Sequence, residues 1–350
     1  MADWCFVTPA AIWYLILKHK NSSRMSEIKV EPIEKYGLSA KSKPKSQFST
    51  IGIVGCGNTG QRIALMVAGK GIEVVFLELS QAKIDQAFAE ITEELDHQIN
   101  HWGMTEGDKR SILSRIKGTL DYADFQNCDL VIESILSRTR EESVDIRKEV
   151  FRNIEKHVSP HAIIATNSTT LVITELAAEL EHKDRCISLH ISTTAPEASI
   201  IEIVKGLHTS DEICEDVRRF AKLIGKTAIP VQESPGLVTA RLAVSFISEA
   251  CDVLMERVSD MESIDFSMRN GLGLPLGPFE MADKIGLDRV IRWMDNLYEE
   301  FGDYKYKPSP VLKRLVRAGY LGRKTHKGFY EYDENGQKLK KNVIEASTGK

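Results

Sequence analysis

A short apolar strand running into a glycine-rich turn and helix at residues 51–69, strands alternating with helices as far as Gln232, and a change to helical apolar spacing beyond it predict an α/β chain. The expected architecture is a parallel sheet of the Rossmann, dinucleotide-binding type, followed by a smaller all-α domain. The divisions fall at 1–47 for an N-terminal extension, 48–232 for the sheet domain, 233–335 for the helical domain and 336–350 for a tail.

The 350 residues carry 46 Lys+Arg against 50 Asp+Glu and are 42% hydrophobic. That is the composition of a soluble globular protein, neither disordered nor fibrous. Near-balanced charge without a basic stripe argues against a nucleic-acid partner. The six cysteines (Cys5, Cys56, Cys128, Cys186, Cys214, Cys251) are scattered, with no C-x-x-C pair. Neither a metal site nor a disulfide framework is expected, and a reducing cytoplasm is the compartment that fits.

The first candidate segment is Phe6 to Leu17 (FVTPAAIWYLIL). It is too short to span a bilayer, is broken by Pro9, and follows Asp3 rather than basic residues, so no membrane association is expected. A signal anchor is the rival reading. Lys18 to Ser49 is polar, Lys/Ser-rich and without periodicity, so 1–47 reads as a disordered extension outside the core. Met25 opens a more ordinary cytosolic start (MSEIKVEPIEKYGL), which sets residues 1–24 apart.

Order begins at Thr50. Ile51 to Val54 reads as a buried parallel strand. It leads into Gly55-Cys56-Gly57-Asn58-Thr59-Gly60 and a helical pattern from Gln61 to Gly69. This is G-x-G-x-x-G in the strand–turn–helix context that the motif requires. The first glycine permits the tight turn, the second lets a pyrophosphate reach the backbone, and the third lets the helix lie against the strand. Helix N–H groups then face the phosphates, with Asn58 and Thr59 in the cradle. A second strand, Glu73 to Leu77, ends at Glu78, 23 residues after Gly55. That is the place of the acid that holds the adenosine ribose, and a carboxylate there repels a 2′-phosphate, favouring NAD over NADP. A strained turn beside a solvated Glu78 is the alternative that this joint context disfavours.

Further on, Asp129 to Glu133 reads as a strand, Glu141 to Glu155 as a charged helix, and Ala162 to Ala165 as a strand ending at Thr166-Asn167-Ser168-Thr169-Thr170. Ligands bind at the carboxyl ends of such strands, so this polar cluster is a candidate contact; a loop and helix cap is its plainer role. Cys186 to Leu189 then forms a strand ending in His190, and Ser199 to Val204 a second strand with Glu202 in its apolar interior. A buried carboxylate needs a partner. In an antiparallel hairpin turning at Pro196, midway between them, His190 and Glu202 face each other. The carboxylate then fixes the imidazole tautomer and leaves the other nitrogen as general base. Spacing alone equally allows a structural histidine and a solvent-facing Glu202.

Together these residues resemble the 3-hydroxyacyl-CoA dehydrogenases over roughly Thr50 to Tyr332. Besides the glycine turn, the family's VIEA strand is matched by Val131-Ile132-Glu133-Ser134 and its SNTSSL loop by Thr166-Asn167-Ser168-Thr169-Thr170-Leu171. HFFNP…E is matched by His190-Ile191-Ser192-Thr193-Thr194 with Glu202, and DTPGFIVNR by Glu233 to Arg241. GxGxPMGPF appears as Gly271 to Phe279, then Asp283 and Gly286-Leu287-Asp288, and GxKTGxGFYxY as Gly322 to Tyr332. The resemblance implies an all-α C-terminal domain of the 6-phosphogluconate-dehydrogenase-like kind, NAD as cofactor and a homodimer through the helical domain. It also implies a His190–Glu202 dyad acting on the 3-hydroxyl of a short-chain L-3-hydroxyacyl-CoA, such as 3-hydroxybutyryl-CoA. Thr169 stands for a family serine on the substrate oxygen, with Asn167 and Thr193 as further substrate contacts. Lys324 matches a lysine on the nicotinamide side of the cofactor, and Arg147 takes the place of another cofactor-side lysine.

Three departures stand out. The HFFNP asparagine is Thr193 here and the VNR asparagine is Ala240, so two amide donors toward the substrate carbonyl are gone. The family's CoA-contacting Ser and Lys map to Glu94 and His101, and an insertion lies around Ser137–Glu142. These favour, as alternatives, a dehydrogenase of a 3-hydroxy acid without CoA (a free acid, a sugar acid or a carnitine-like substrate) or a weakly active NAD-binding module. In the second domain, helices are expected over Leu237–Val258, Ile264–Asn270, Leu287–Phe301 and Pro310–Ala318, with apolar faces read mostly as core. Lys338, Lys340 and Lys341 read as a solvated tail.

Overall fold

The computed structural model describes residues 48–100, 103–136, 140–191 and 199–342. It divides the chain into 1–46 and 47–350, and the description concerns the second unit. The expected extension with its Phe6–Leu17 stretch, His101, the start of the insertion, and Thr193 with the Pro196 turn lie outside the described residues. Among the described residues no helix is long and apolar enough to cross a membrane.

β1 (Thr50–Val54) leads to α1 (Asn58–Ala68), β2 (Glu73–Leu77), a hairpin of α2 (Gln81–Asn100) and α3 (Glu106–Leu113), and β3 (Ile116–Thr119). The chain then returns across β1 to β4 (Leu130–Glu133), followed by α4 (Arg140–His157), β5 (Ile163–Thr166), one turn of α5 (Ile173–Leu176) and β6 (Cys186–Ile191). β7 (Ile200–Lys205), α6 (Asp211–Leu223) and β8 (Thr227–Gln232) complete an eight-stranded sheet of order β3-β2-β1-β4-β5-β6-β7-β8. The pairs from β3 to β6 are parallel, β7 is antiparallel to β6, and β8 is parallel to β7. The order reverses between β1 and β4, which opens a crevice at their carboxyl ends.

Alternation along β1 explains the two layers of helix. Ile51 and Ile53 point to the face covered by Ile63 and Val67 of α1, Ile91 of α2 and Phe220 of α6. Val54, with Val131 of β4 and Ile164 of β5, points to the other face, under Phe151 and Ile154 of α4. Each of these fully buried side chains contributes about 1.5–3 kcal/mol of transfer free energy.

The second domain holds its own core. α7 (Thr239–Met255), α8 (Met261–Gly271), α9 (Pro278–Ile285), α10 (Leu287–Phe301) and α11 (Pro310–Arg317) enclose Val244, Ile247, Phe279, Met294, Leu297 and Leu312. A hairpin of β9 (Tyr330–Tyr332) and β10 (Lys338–Asn342) closes it. Asp283 of α9 clasps that hairpin, accepting from the Phe329 N–H at 2.8 Å, the Tyr330 N–H at 2.9 Å and the Tyr332 hydroxyl at 2.9 Å.

Several elements differ from the sequence expectation. α1 begins at Asn58, because Gly57 is its cap. α7 is shorter than Leu237–Val258: Gly236 (φ 83°) and Leu237 (φ 50°) form a turn ahead of it, and Arg257 (φ 60°) follows its end. β8 went unread because it is a largely exposed edge strand interrupted by Pro230, a place where proline is tolerated. Lys338 is not a solvated tail residue. Its ammonium lies 2.9 Å from the Glu280 carboxylate and 3.9 Å from the centre of the Tyr330 ring.

Candidate active site

The glycine turn divides its work among three positions. Gly55 has φ 89°, open to glycine at little cost, and its N–H donates to the Leu77 carbonyl at 3.0 Å. A Cβ at Gly60 would stand 2.2 Å from the Gly55 carbonyl oxygen, so only glycine lets α1 lie this close to the turn. At Gly57 a Cβ would meet nothing within 4 Å. The first turn of α1 carries no acidic residue and Gly57 caps it without a side chain, so its N–H groups point into that open space. Asn58 is exposed and Thr59 half-buried beside it. Glu78 sits over the turn, its Oε1 accepting from the Cys56 N–H at 2.6 Å. Burial, with Glu78 and Glu90 nearby, pushes the Cys56 thiol far above its ordinary range, so it is inert.

At the ends of β4 and β5, the fully buried Glu133 accepts from the Arg147 Nε at 3.0 Å, the Thr166 hydroxyl at 2.6 Å and the Ile135 N–H at 2.7 Å. Arg147 donates further to the Ile135 carbonyl and to Ser143. The structure therefore places Arg147 as a buried strut beneath the crevice, its guanidinium bound to protein groups. Asn167 secures the neighbouring strand: its Oδ1 accepts from the Ile191 N–H at 2.8 Å, immediately after His190. Thr169 is half-buried in the same loop, and its carbonyl accepts from the Gly236 N–H at 2.9 Å.

The β6–β7 register sets His190 opposite Glu202. His190 Nδ1 lies 2.7 Å from Glu202 Oε2, and both residues are buried. The carboxylate at Nδ1 fixes that nitrogen as the donor and leaves Nε2 for chemistry. Glu202 is itself held from the second domain: Oε1 accepts the N–H groups of Val238 at 3.0 Å and Thr239 at 3.1 Å, and Oε2 accepts the Thr239 hydroxyl at 2.7 Å. Burial pushes the Glu202 carboxyl up, but the bonds from His190 and Thr239 outweigh it and bring it down to about 2. The carboxylate is ionised throughout the neutral range. Lys324 stands apart from this pair, its ammonium 2.7 Å from both Asp288 oxygens at the start of α10.

Comparison with known proteins adds the rest. Residues 50–234 match the profile of the 3-hydroxyacyl-CoA dehydrogenase NAD binding domain and residues 236–332 that of the 3-hydroxyacyl-CoA dehydrogenase C-terminal domain. The chain belongs to the 3-hydroxyacyl-CoA dehydrogenase family. It is an oxidoreductase, and its cofactor is NAD. A probable 3-hydroxybutyryl-CoA dehydrogenase of Deinococcus radiodurans is 35% identical over 281 residues, 80% of this chain and 99% of that protein. The crystal structure of (S)-3-hydroxybutyryl-CoA dehydrogenase PaaH1 from Ralstonia eutropha is 38% identical with a TM-score of 0.73, covering 82% of this chain and all (100%) of that one. That of FadB2 from M. tuberculosis is 29% identical with a TM-score of 0.77, covering 82% of this chain and 99% of its own.

The dehydrogenase's own residues fit the cofactor: an uncapped helix N-terminus, open space at Gly57 and an acid on the turn are what a dinucleotide without a 2′-phosphate requires. Ala240, where the family motif has asparagine, is buried and offers no side-chain donor. Sequence reasoning missed two members of the site. Glu133 was visible only as a motif residue, and its charge in an apolar strand was the overlooked signal. Thr239 gave no signal, because its partner is 37 residues away across a domain boundary. A cleft of about 760 Å³ between α1, α2, α3 and the turn before β8 also went unforeseen. It is lined by the cations Arg62, Lys70, Arg115 and Lys226, with Glu94 and Asp108 as counter-charges.

Proposed function

We propose that the protein interconverts a short-chain L-3-hydroxyacyl-CoA, such as 3-hydroxybutyryl-CoA, with its 3-ketoacyl-CoA, and that His190 and Glu202 are its acid–base dyad. The observation that carries this is the buried His190–Glu202 pair at 2.7 Å, at the end of a strand beside the cofactor crevice. NAD, when bound, supplies the hydride acceptor. Nε2 of His190 takes the 3-hydroxyl proton as the carbonyl forms, and returns it in the reverse direction. Glu202 stabilises the imidazolium that results. Thr169 donates to the substrate oxygen, and Asn167 and Thr193 are the further substrate contacts of this reading; Lys324 orients the nicotinamide end, and Gly55, Gly57, Asn58, Thr59, Gly60 and Glu78 hold the adenosine end. Arg147 serves the cofactor crevice indirectly, by fixing Glu133 and the backbone at Ile135.

The CoA handle is supported by the names of the relatives and by the cation-lined cleft, where four basic side chains offset Glu94. In this reading residues 48–232 carry the cofactor and the CoA handle, and 233–335 the dimer surface and the far side of the crevice that takes the acyl end. A homodimer through the helical domain is supported by exposed Leu242, Val258 and Phe266 and by an apolar groove of about 430 Å³ between α7 and α8. Five buried free thiols suit a reducing cytoplasm.

The test is NADH oxidation with acetoacetyl-CoA and, separately, free acetoacetate. Rapid turnover with the thioester and none with the acid is expected. Turnover with the acid alone transfers the assignment to a substrate without CoA. His190→Gln is expected to lower turnover by about 10²–10⁴-fold with NADH affinity unchanged; wild-type turnover in this variant removes the dyad from the reaction.

A further inference from the structure

We propose that Thr239 is a positioning residue of the dyad: its hydroxyl shares the carboxylate oxygen that holds the imidazole, and so sets how strongly Glu202 supports a charged histidine. The proposal rests on the acid–base reading above and goes beyond it to a residue that the family motif does not supply, since DTPGFIVNR has valine at this position.

Four donors converge on one carboxylate. Two are backbone N–H groups of Val238 and Thr239 on Oε1, at 3.0 and 3.1 Å, and they stay whatever side chains those positions bear. The other two meet on Oε2: His190 Nδ1 at 2.7 Å and the Thr239 hydroxyl at 2.7 Å. At equal distance on the same atom they compete for the same negative charge. A donor to an ionised acceptor in a buried site is the strong kind of hydrogen bond, and each draws electron density that the other would otherwise use. The hydroxyl therefore weakens the hold of Glu202 on the imidazolium without breaking the pair. It leaves the charged histidine a readier proton donor in ketone reduction.

The geometry behind this is local to the turn between the domains. Gly236 and Leu237 both take positive φ, which swings the first residue of α7 up against β7. Thr239 lies where a helix begins, so its N–H and its hydroxyl reach the same carboxylate together. A valine at 239 keeps the β-branched shape and both N–H groups and removes the hydroxyl alone.

The experiment is the pH dependence of kcat/KM for 3-hydroxybutyryl-CoA oxidation in wild type, Thr239→Val and Thr239→Ser. The rising limb reports the base in its neutral form. In T239V the limb is expected to move to higher pH by roughly 0.5–1 unit, read below the limb as a loss of about 3–10-fold at fixed pH. KM at the plateau and NADH affinity stay unchanged, and T239S restores the wild-type limb. If T239V does not fold, Thr239→Ala carries the same expectation. A limb that stays in place, or a shift that serine fails to reverse, overturns the proposal. His190→Gln in parallel separates the two layers: an active H190Q enzyme removes the dyad reading itself, whereas an inactive H190Q beside an unmoved T239V limb removes only the role of Thr239.

Discussion

Gly57 and Gly60 look alike in the sequence and do opposite things. At Gly60 a methyl would meet a backbone oxygen at 2.2 Å, and the turn has no slack to yield. Gly60→Ala is expected to cost ~1–3 kcal/mol through overpacking and to weaken NADH binding by lifting α1 off the turn. Gly57 has extended backbone, φ −72° and ψ −170°, which any residue adopts. Gly57→Ala should leave the thermal midpoint nearly unchanged while NADH affinity falls, because the new methyl stands in the space that the phosphates need. Thermal unfolding and fluorescence titration with NADH, run on both variants, separate the two effects. The turn was legible because glycine chemistry is local: a strand, a fixed spacing and an acid 23 residues on are enough. Arg147 shows the limit. It was expected as a cofactor-side cation, but Glu133, fully buried 14 residues earlier, claims the guanidinium.

At the scale of elements, the β6–β7 hairpin joined to the start of α7 makes one contribution to how the protein responds to acid. Glu202 has an ordinary value of 4.5 in the unfolded chain and about 2 in the folded one. A depressed carboxyl gives stability that is fully present above about pH 5 and is lost as pH falls through 4.5 toward 2. The shift corresponds to about 3 kcal/mol as an upper figure. The gap in unfolding free energy between wild type and Glu202→Gln, measured in urea, should be widest at pH 6 and narrow steadily toward pH 2.5. A gap that is constant with pH contradicts the folded-state bonds to Glu202. The antiparallel register, with His190 opposite Glu202, is the one that an acid in an apolar strand suggested, although spacing alone also allowed a structural histidine and a solvent-facing Glu202. The ends of α7 were not. Leu237 and Arg257 hold positive φ in local turns, where the Leu237 N–H donates to the Ser234 carbonyl and the Arg257 N–H to the Leu254 carbonyl, and nothing in a leucine or an arginine announces that.

At the scale of the whole molecule, the sheet domain and the helical domain meet through polar ties at the site rather than through a shared apolar core. Thr169 accepts from Gly236, Asn296 donates to Thr170 at 2.7 Å, and the Glu233 carboxylate takes the Thr174 N–H at 2.8 Å. The cation-lined cleft lies wholly on the sheet domain, so the proposed CoA handle can be tested apart from the His190–Glu202 pair. Lys70→Glu with Lys226→Glu is expected to raise KM for acetoacetyl-CoA about tenfold and to leave the N-acetylcysteamine thioester, which lacks the phosphates, unaffected. Equal effects on both substrates place the handle elsewhere. The fold class and the order of the domains could be read from periodicity. The cleft could not, because Arg62, Lys70, Arg115 and Lys226 are spread over more than 160 residues and only the packing of α1 against α3 and the β8 turn gathers them.

The Asp283 clasp also fixes the order in which the protein is put together. Its three donors come from residues 329–332, about a hundred residues after the last strand of the large sheet. During synthesis the sheet has all its strands, and both of its helical layers, well before those donors leave the ribosome. The helices of the second half must wait, with a buried carboxylate still bare, until the final hairpin arrives to close them. The cofactor half is therefore born first and the half that completes the surroundings of the His190–Glu202 pair second. A chain cut between Gly319 and Phe329 is expected to keep the dinucleotide cradle and to leave α7 to α11 without the piece that shuts them.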